Sequence, residues 1–442
     1  MIRIFKQPNA PMAAYFGGIG GFLFGYNVAI ISGLLLVLSD SMALNTARQA
    51  NLVSILILGA LIGAVAAGFI ADKIGRKKTL LATMAAYFLG SLVLIIASNY
   101  WIFSLGRIIT GIAAGLGAFS IPLYLAEISP NKERGRLVAI NQFCVALGIL
   151  FAYILNYVFD ATLNWRYVFI LSLIVSAVGA YFMNCLPESP SWLLAMTKRK
   201  EARVIIRQFR PHEDADKVVS QIEKHLMNAS KDYFMKKIIV PSLIAGVVLA
   251  AIHQITGFYS IIYYAPTILQ SSGFYLISSA TEAAVCIGIV NLIGALASLF
   301  LVDKLGRKPL LLGGLIGMSV SLIALALGNF LSFGFLNIWT LIFLLTYVGS
   351  FAVGLGSIVF LMLGEIFPMA VRGKVVALCI FVNFLVNYLI SLLFIVLFQK
   401  VNPSVCFSVF AITTMASIFY IWKFLPETKE KSLEDIEKFW KK

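Results

Sequence analysis

Charged residues are scarce in this chain. They make up 12% of its 442 residues, whereas hydrophobic residues make up 60%. A typical soluble domain has about 25% charged residues and about 45–50% apolar ones. A water-soluble core does not need so much apolar surface but a lipid bilayer does, so the composition favours a membrane protein.

Residues that form disulfides, bind metals or catalyse covalent chemistry are also few. The three histidines form no ligand pattern, and no HExxH, GxSxG or phosphate-binding motif occurs. The cysteines are scattered through apolar stretches without paired spacing, and we expect them to be small buried hydrophobic residues: Cys144, Cys185, Cys286, Cys379 and Cys406. The sequence therefore predicts no enzyme, no metal site and no cofactor.

The chain has long apolar runs instead. A bilayer core of about 30 Å needs roughly 20 apolar residues for each helical crossing. Twelve such runs lie near residues 12–38, 50–71, 79–98, 101–126, 137–158, 166–186, 238–270, 282–302, 309–330, 338–367, 374–398 and 404–425. They predict an all-α membrane protein with twelve transmembrane helices.

The positive charge follows this predicted topology. If the N-terminus is inside, the outside loops hold only Arg48, Arg166 and Lys400 of the 35 lysines and arginines. Basic residues concentrate on the cytoplasmic side of membrane proteins. We therefore expect both termini in the cytoplasm, and we interpret the net charge of +15 as a sign of orientation rather than of nucleic-acid binding.

Three short motifs occur twice at nearly constant separation. Asp72–Lys77 recurs as Asp303–Lys308, Glu127–Pro130 as Glu365–Pro368, and Pro187–Ser189 as Pro426–Thr428. Such a repeat predicts two membrane units in the same orientation, which is a transporter architecture. We expect a first half at 1–186, a linker with amphipathic cytoplasmic helices at 187–237, a second half at 238–425 and a C-terminal cytoplasmic helix at 426–442.

Further motifs extend along the chain, among them Gly25-Tyr26-Asn27, Pro187-Glu188-Ser189-Pro190, Tyr263-Tyr264-Ala265-Pro266 and Pro426-Glu427-Thr428-Lys429. With the repeated loops, they make the whole chain resemble the sugar porter family of the major facilitator superfamily. The resemblance implies two pseudo-symmetric six-helix halves and transport of a monosaccharide by alternating access. A hexose is the default substrate, and a pentose or a polyol such as inositol fits as well. The expected setting is a bacterial inner (plasma) membrane, with sugar or polyol and membrane lipid as partners of a monomer.

One arginine lies deep in a predicted helix. Arg107 is about 9 Å from the outer boundary and Asn27 is about 24 Å along the first helix from the inside, so the two have similar depth. A buried membrane arginine is costly and indicates a functional site. The resemblance implies that proton-coupled members carry an aspartate at the position of Asn27. Since an amide cannot titrate, we expect a uniporter, and a proton symporter that uses His253 is the alternative.

Amides and aromatic rings within apolar helices predict the sugar site, because ring hydroxyls need donors and acceptors and the C–H face needs an apolar surface. By resemblance, the substrate-binding positions are Phe24, Gln142, His253, Gln254, Tyr259, Asn291, Phe360, Asn383, Phe384 and Asn387. The family has glutamine at the position of His253, an amide at that of Tyr259 and tryptophan at that of Phe360. These departures leave the choice of sugar open.

The resemblance also implies two gates. Helix 7 is expected to break near Thr256-Gly257, with Tyr263 and Tyr264 beyond the break as the outer gate. The inner gate is expected to be a set of salt bridges that hold the cytoplasmic side shut when the outside is open: Arg76, Glu127, Arg134, Glu188, Arg307, Glu365, Arg372 and Glu427. An exporter of another small molecule and a non-transporting sugar sensor are the remaining alternatives, and the short C-terminal tail disfavours the sensor.

Overall fold

The computed structural model describes residues 9–42, 44–130, 134–159, 164–229, 239–331, 336–367, 372–429 and 431. Within these ranges the chain is helical and contains no β-strand. Twelve segments are long and apolar enough to cross a membrane, as the sequence predicts. They are numbered here as spans 1 to 12: Ala10–Ser39, Thr46–Ile74, Arg76–Ile95, Tyr100–Ile128, Ile140–Val158, Trp165–Cys185, Val240–Ser271, Ile277–Val302, Arg307–Leu331, Leu336–Glu365, Val375–Lys400 and Pro403–Phe424.

Twelve crossings bring the chain back to the face from which it started. We call the face where span 1 begins and span 12 ends the terminal face, and the opposite one the distal face. Apolar side chains on the outer surface are well exposed, among them Phe69 at 77% and Ile412 at 64%. An outer surface of this kind suits lipid rather than water, so the molecule is a multi-pass membrane protein.

Three spans are interrupted helices. Span 1 consists of Ala10–Ala29 and Ile31–Ser41, span 7 of Ile239–Ile255 and Phe258–Ser271, and span 10 of Leu336–Val353 and Leu355–Glu365. The break in span 7 lies at Gly257, whose φ of +89° is a left-handed conformation that favours glycine. This confirms the break predicted near Thr256-Gly257.

Glycines allow spans 2 and 4 to pack closely. A Cβ atom on Gly59 would lie 2.4 Å from the carbonyl oxygen of Ile108, and one on Gly111 would lie 2.0 Å from that of Leu56. No side chain fits such gaps, so the two backbones approach as small residues permit in membrane helices. Span 4, which carries Arg107, is thereby packed closely against span 2.

The segment between the halves forms short helices, as predicted: Pro190–Ala195, Arg199–Phe209 and Ala215–Ala229. They share a small apolar cluster of their own, which includes Leu193, Ala202 and Ile206. The cluster is fastened to the first half, because Arg210 donates to the carbonyl oxygen of Glu127 at 2.9 Å. The predicted C-terminal helix at 426–442 lies for the most part outside the described residues.

The two halves meet mainly along spans 2 and 11 and along spans 5 and 8. At the second of these seams, a Cβ atom on Gly288 would lie 3.0 Å from the Cα atom of Leu150. The seams lie on either side of a central cavity between the halves.

Candidate functional site

A cavity of about 80 Å³ lies between the two halves. By the same measure one water needs about 10–15 Å³, so the cavity has room for several. Spans 1, 4 and 5 line it from the first half, and spans 7, 10 and 11 line it from the second. Eight predicted binding residues lie on its wall: Phe24, Gln142, Gln254, Tyr259, Phe360, Asn383, Phe384 and Asn387.

Aromatic rings from both halves meet at this cavity. The ring of Phe24, in the first half, packs edge-on against Tyr259 and Phe384 of the second half, each at a centroid distance of 6.4 Å. Tyr259 in turn lies 6.1 Å from Tyr263. Flat apolar faces next to amides are what the C–H and O–H groups of a sugar ring require.

Two predicted binding residues lie off this wall. Asn291 lines a neighbouring pocket of about 10 Å³, together with Gln142, Tyr259 and Ser357. His253 lines neither pocket. Its side chain is fully buried behind the wall and contacts the wall amides from the rear.

The amides of Gln254 and Asn383 are connected to each other and to His253. Gln254 Nε2 donates to Asn383 Oδ1 at 2.9 Å and lies 3.2 Å from His253 Nδ1. Asn383 Nδ2 lies 3.2 Å from the same ring nitrogen and donates to the carbonyl oxygen of Ala250 at 2.9 Å. This network links spans 7 and 11 on one side of the cavity.

The distal side of the cavity is closed. The predicted outer-gate residues Tyr263 and Tyr264 are buried, and Asn387 Nδ2 donates to the hydroxyl of Tyr263 at 3.1 Å. The hydroxyl of Tyr153, in the first half, donates to the carbonyl oxygen of Ile262 at 2.8 Å. At the distal face itself, Thr46 Oγ1 donates to Gln399 Oε1 at 2.6 Å across the halves.

Arg107 contacts Asn27 in the structure, but it binds the main-chain carbonyl of Asn27 and not the side chain. Arg107 Nη1 donates to the carbonyl oxygen of Asn27 at 2.7 Å, and its Nε donates to that of Leu52 at 3.4 Å. The Asn27 amide instead donates to Leu23 O at 2.9 Å and to Ser172 Oγ at 3.1 Å. The side chains of Arg107 and Asn27 are therefore not hydrogen-bonded to each other, although the two residues lie at similar depth, as expected.

At the terminal face, the first half carries a cluster that we call the first clasp: Arg76, Lys77, Glu127, Glu188 and Ser189. Arg76 Nε pairs with Glu127 Oε2 at 3.3 Å, and the Ser189 hydroxyl also donates to Glu127. Glu188 Oε1 accepts from the backbone N–H groups of Arg76 at 2.8 Å and of Lys77 at 3.0 Å. A carboxylate at the N-terminus of span 3 also suits the helix dipole.

The second half repeats this arrangement in a second clasp: Arg307, Lys308, Glu365, Glu427 and Thr428. Arg307 Nη2 pairs with Glu365 Oε1 at 3.1 Å, and Thr428 Oγ1 donates to Glu365 Oε2 at 2.6 Å. Glu427 accepts from the N–H groups of Arg307 at 3.1 Å and of Lys308 at 2.9 Å. Burial raises the pKa of the Glu427 carboxyl, but backbone N–H donors, first that of Lys429 and then those of Arg307 and Lys308, lower it more, so its pKa is below the usual value.

The described members of the predicted inner gate form the two clasps in this structure. The described ion pairs of this set join residues within one half, Arg76 with Glu127 and Arg307 with Glu365. The side chains of Arg134 and Arg372 lie outside what the structure describes. The described members therefore pair within a half and not across the halves. Each clasp joins three helix ends of its own half.

Sequence reasoning missed several residues of the cavity wall. Asn141 and Ser357 lie on it, and so do Gly20, Gly21 and Gly117. Asn141 Oδ1 is buried and accepts no hydrogen bond within the described part of the chain. Its position directly before Gln142 was the available signal, since two adjacent amides in an apolar helix are unusual.

Comparison with known proteins identifies relatives over nearly the whole chain. The family model described as "Sugar (and other) transporter" matches residues 13–440. The chain is 37% identical to YwtG of Bacillus subtilis (strain 168), whose name describes metabolite transport without a substrate, over 98% of this chain and 95% of the relative. It is 33% identical to the glucose transporter GlcP of Staphylococcus epidermidis, over 98% of this chain and 97% of the relative.

A solved structure is similar over the full length. It is that of the proton:xylose symporter XylE of E. coli, bound to 6-bromo-6-deoxy-D-glucose. The TM-score is 0.85 at 28% sequence identity, and the match covers 97% of this chain and 98% of XylE. The two chains therefore share the arrangement of all twelve spans.

Proposed function

The chain belongs to the sugar (and other) transporter family, and on this premise we propose that it carries a monosaccharide across a bacterial cytoplasmic membrane as a facilitative uniporter. The observation that carries the proposal is the central cavity, whose wall combines amides with aromatic rings from both halves. Closure on the distal side supports alternating access, in which the halves rock about a central site.

The substrate proposed by default is a hexose. The relative GlcP is a glucose transporter, and XylE, a xylose symporter, binds a brominated glucose. Phe360 offers an apolar face to the sugar ring but has no N–H to donate, and Tyr259 occupies space within the cavity. A pentose is the second candidate for the same wall.

The proposal of uniport rests on Asn27. This side chain is fully buried in the membrane region, and its amide hydrogens are directed to Leu23 O and Ser172 Oγ. An amide neither gains nor loses a proton in the physiological range. His253 offers no easy substitute, because both groups that face its Nδ1 are amide N–H donors, which oppose a proton on that nitrogen.

Proton symport is the second candidate function, and the similarity to XylE favours it. A symporter of this chain would need a titratable group other than Asn27. Among the described residues near the cavity, His253 is the one with a suitable ordinary pKa. The two candidates differ in whether a proton gradient moves the sugar.

Orientation is proposed from charge. The terminal face carries Arg76, Lys77, Arg307 and Lys308 in the two clasps, together with the basic linker helices. Basic residues favour the cytoplasmic side. We therefore place the terminal face in the cytoplasm, so that the closed distal face is the outside.

The test is uptake of labelled D-glucose and D-xylose into proteoliposomes that contain the purified protein, with and without an inward proton gradient. Uptake that equilibrates and does not respond to the gradient is expected. Accumulation above equilibrium would replace uniport by symport. No uptake of any sugar in a panel of hexoses, pentoses and polyols would overturn sugar transport itself.

A further inference from the structure

The orientation of the Asn383 amide is fixed by the main chain. One of its two terminal atoms lies 2.9 Å from the carbonyl oxygen of Ala250. A carbonyl oxygen cannot donate, so the atom that faces it must be the nitrogen. Oδ1 therefore points to Gln254, and the orientation of one amide determines that of the next.

The Gln254 amide follows from the same argument. The atom 2.9 Å from Asn383 Oδ1 must be a donor and is therefore Nε2. Each NH₂ group has two hydrogens, and each group has two neighbours. Gln254 Nε2 faces Asn383 Oδ1 and His253 Nδ1, and Asn383 Nδ2 faces Ala250 O and the same His253 nitrogen.

His253 supplies the acceptor for the remaining amide hydrogens of Gln254 and Asn383. Its Nδ1 lies 3.2 Å from both amide nitrogens, and since both are donors, its single lone pair must be the acceptor that their two hydrogens share. The ring proton is therefore on Nε2, which has no hydrogen-bond partner among the described residues. The imidazole ring packs among the rings of Tyr259, Phe351 and Phe360, at centroid distances of 5.9, 5.3 and 5.2 Å.

The consequence concerns what the cavity wall offers. With both hydrogens of each NH₂ group directed at acceptors of the protein, one of them the shared His253 Nδ1, Gln254 and Asn383 direct no donor at a ligand. Their free capacity is that of acceptors, at Gln254 Oε1 and at the second lone pair of Asn383 Oδ1. A group that meets this part of the wall has to donate a hydrogen bond.

We infer that His253 is a positioning residue, which leaves Gln254 and Asn383 only as hydrogen-bond acceptors toward the substrate. A hydroxyl of the sugar must therefore donate a hydrogen bond to this side of the cavity. The inference rests on the proposed function and adds the polarity of the contact to it. His253 itself does not touch the sugar, since it lies behind the wall.

Deoxy and deoxyfluoro sugars test this polarity. At each hydroxyl of D-glucose, binding to the purified protein is measured for the parent sugar, for the deoxy analogue and for the deoxyfluoro analogue, whose fluorine can accept but cannot donate. At the hydroxyl that meets Gln254 and Asn383, both analogues are expected to lose about fivefold in affinity, the worth of one neutral hydrogen bond. A deoxyfluoro sugar that keeps the parent's affinity wherever the deoxy sugar loses it would overturn the inference.

Two variants separate positioning from a merely structural role. In His253→Phe the amides regain free hydrogens, so the deoxyfluoro analogue is expected to bind more tightly than the deoxy analogue at that hydroxyl. In His253→Gln a side-chain carbonyl can still accept, and the two analogues should again lose equally. An unchanged ratio in His253→Phe would overturn the role of His253.

The tautomer of His253 can also be measured in the wild-type protein, where a variant serves only to assign the signal. With only three histidines in the chain, ¹⁵N-histidine labelling gives a spectrum in which His253 is identified by its absence from His253→Gln. We expect an unprotonated Nδ1 and a protonated Nε2, and a proton on Nδ1 would contradict the inference. If no sugar binds at all, the proposed function fails together with the inference, whereas binding with tolerance of fluorine overturns the inference alone.

Discussion

At the scale of single residues, the glycine of each repeated Asp-Lys-x-Gly-Arg-Lys motif has a backbone reason to be glycine. Gly75 has φ of +97° and ψ of 163°, and Gly306 has φ of +94° and ψ of 169°. This region is accessible essentially to glycine alone. A Cβ atom on Gly75 would also lie 2.3 Å from Glu188 Oε2. The first clasp can therefore form only if residue 75 has no side chain.

Gly75→Ala is therefore expected to destabilise the first half. Backbone strain costs about 1–3 kcal/mol, and the displaced Glu188 carboxylate would leave the N–H groups of Arg76 and Lys77 without their acceptor. The measurement is the apparent melting temperature in detergent. Gly68→Ala is the matched control, because a Cβ atom there meets nothing within 4 Å, and an equal loss in both variants would contradict the argument.

The depth of a residue in the membrane was easier to predict than the direction of its side chain. The depth of Arg107 and of Asn27 follows from the rise of a helix, and the structure does bring the two residues together. That Arg107 binds the main chain of Asn27, while the amide turns toward Ser172, depends on how spans 1, 4 and 6 rotate about their axes. The positions in a single sequence do not determine that rotation.

At the scale of elements, span 7 shows how a broken helix is kept stable inside a membrane. Pro266 has no N–H, so the carbonyl oxygen of Ile262, four residues earlier, loses its helical donor. The hydroxyl of Tyr153 replaces that donor at 2.8 Å, and Tyr153 belongs to the other half. The hydrogen bond can persist only while the distal side is closed.

Tyr153→Phe is accordingly expected to favour opening of the distal side. A buried carbonyl left without a donor costs about 1–3 kcal/mol, and separation of the halves relieves that cost by admitting water. The measurement is the distance between spin labels at Arg48→Cys and Val401→Cys, in a background without the native cysteines. The distribution should shift to longer distances.

Tyr347→Phe is the control for that experiment. Tyr347 donates to the carbonyl oxygen of Thr256 at 2.8 Å, so the chemical change is the same, but donor and acceptor lie in one half. The distance between the labels should not change in this variant. A distribution that is equally unchanged in Tyr153→Phe would show that the Tyr153 hydroxyl does not hold the distal side closed.

Sequence reasoning predicted the elements well for a physical reason. The bilayer sets the length of each apolar run, and Gly257 and Pro266 mark two separate irregularities of span 7. Tyr153 was not predicted to contact this turn, because its partner is a main-chain atom 109 residues away. Long-range contacts to a carbonyl leave no pattern in the sequence.

At the scale of the whole molecule, the contacts divide into those within a half and those between halves. The clasps belong to the first class, since Arg76 pairs with Glu127 and Arg307 with Glu365. The contacts of Thr46 with Gln399 and of Tyr153 with Ile262 belong to the second. This division is what two rigid bodies that rock about a central cavity require.

Cross-linking of the distal face tests the division directly. Thr46→Cys with Gln399→Cys, in a background without the native cysteines, is joined by a short linker that attaches to both thiols through disulfide bonds. The link should block sugar uptake into proteoliposomes, and a reductant, which cleaves the disulfides, should restore it. The physical reason is that the cavity cannot open to the distal side while the halves are tied there. Neither single cysteine variant should lose uptake on the same treatment.

The matched control is a cross-link within one half at the same face. Asn51 Nδ2 donates to the hydroxyl of Tyr100 at 2.6 Å, and both residues belong to the first half. Asn51→Cys with Tyr100→Cys should therefore leave uptake intact when cross-linked, because a rigid body loses no motion by being tied to itself. Uptake that survives the link between Thr46 and Gln399 would mean that the distal face does not open during transport. Uptake lost with both links would mean that spans 2 and 4 also move relative to each other, so that the first half is not one rigid body.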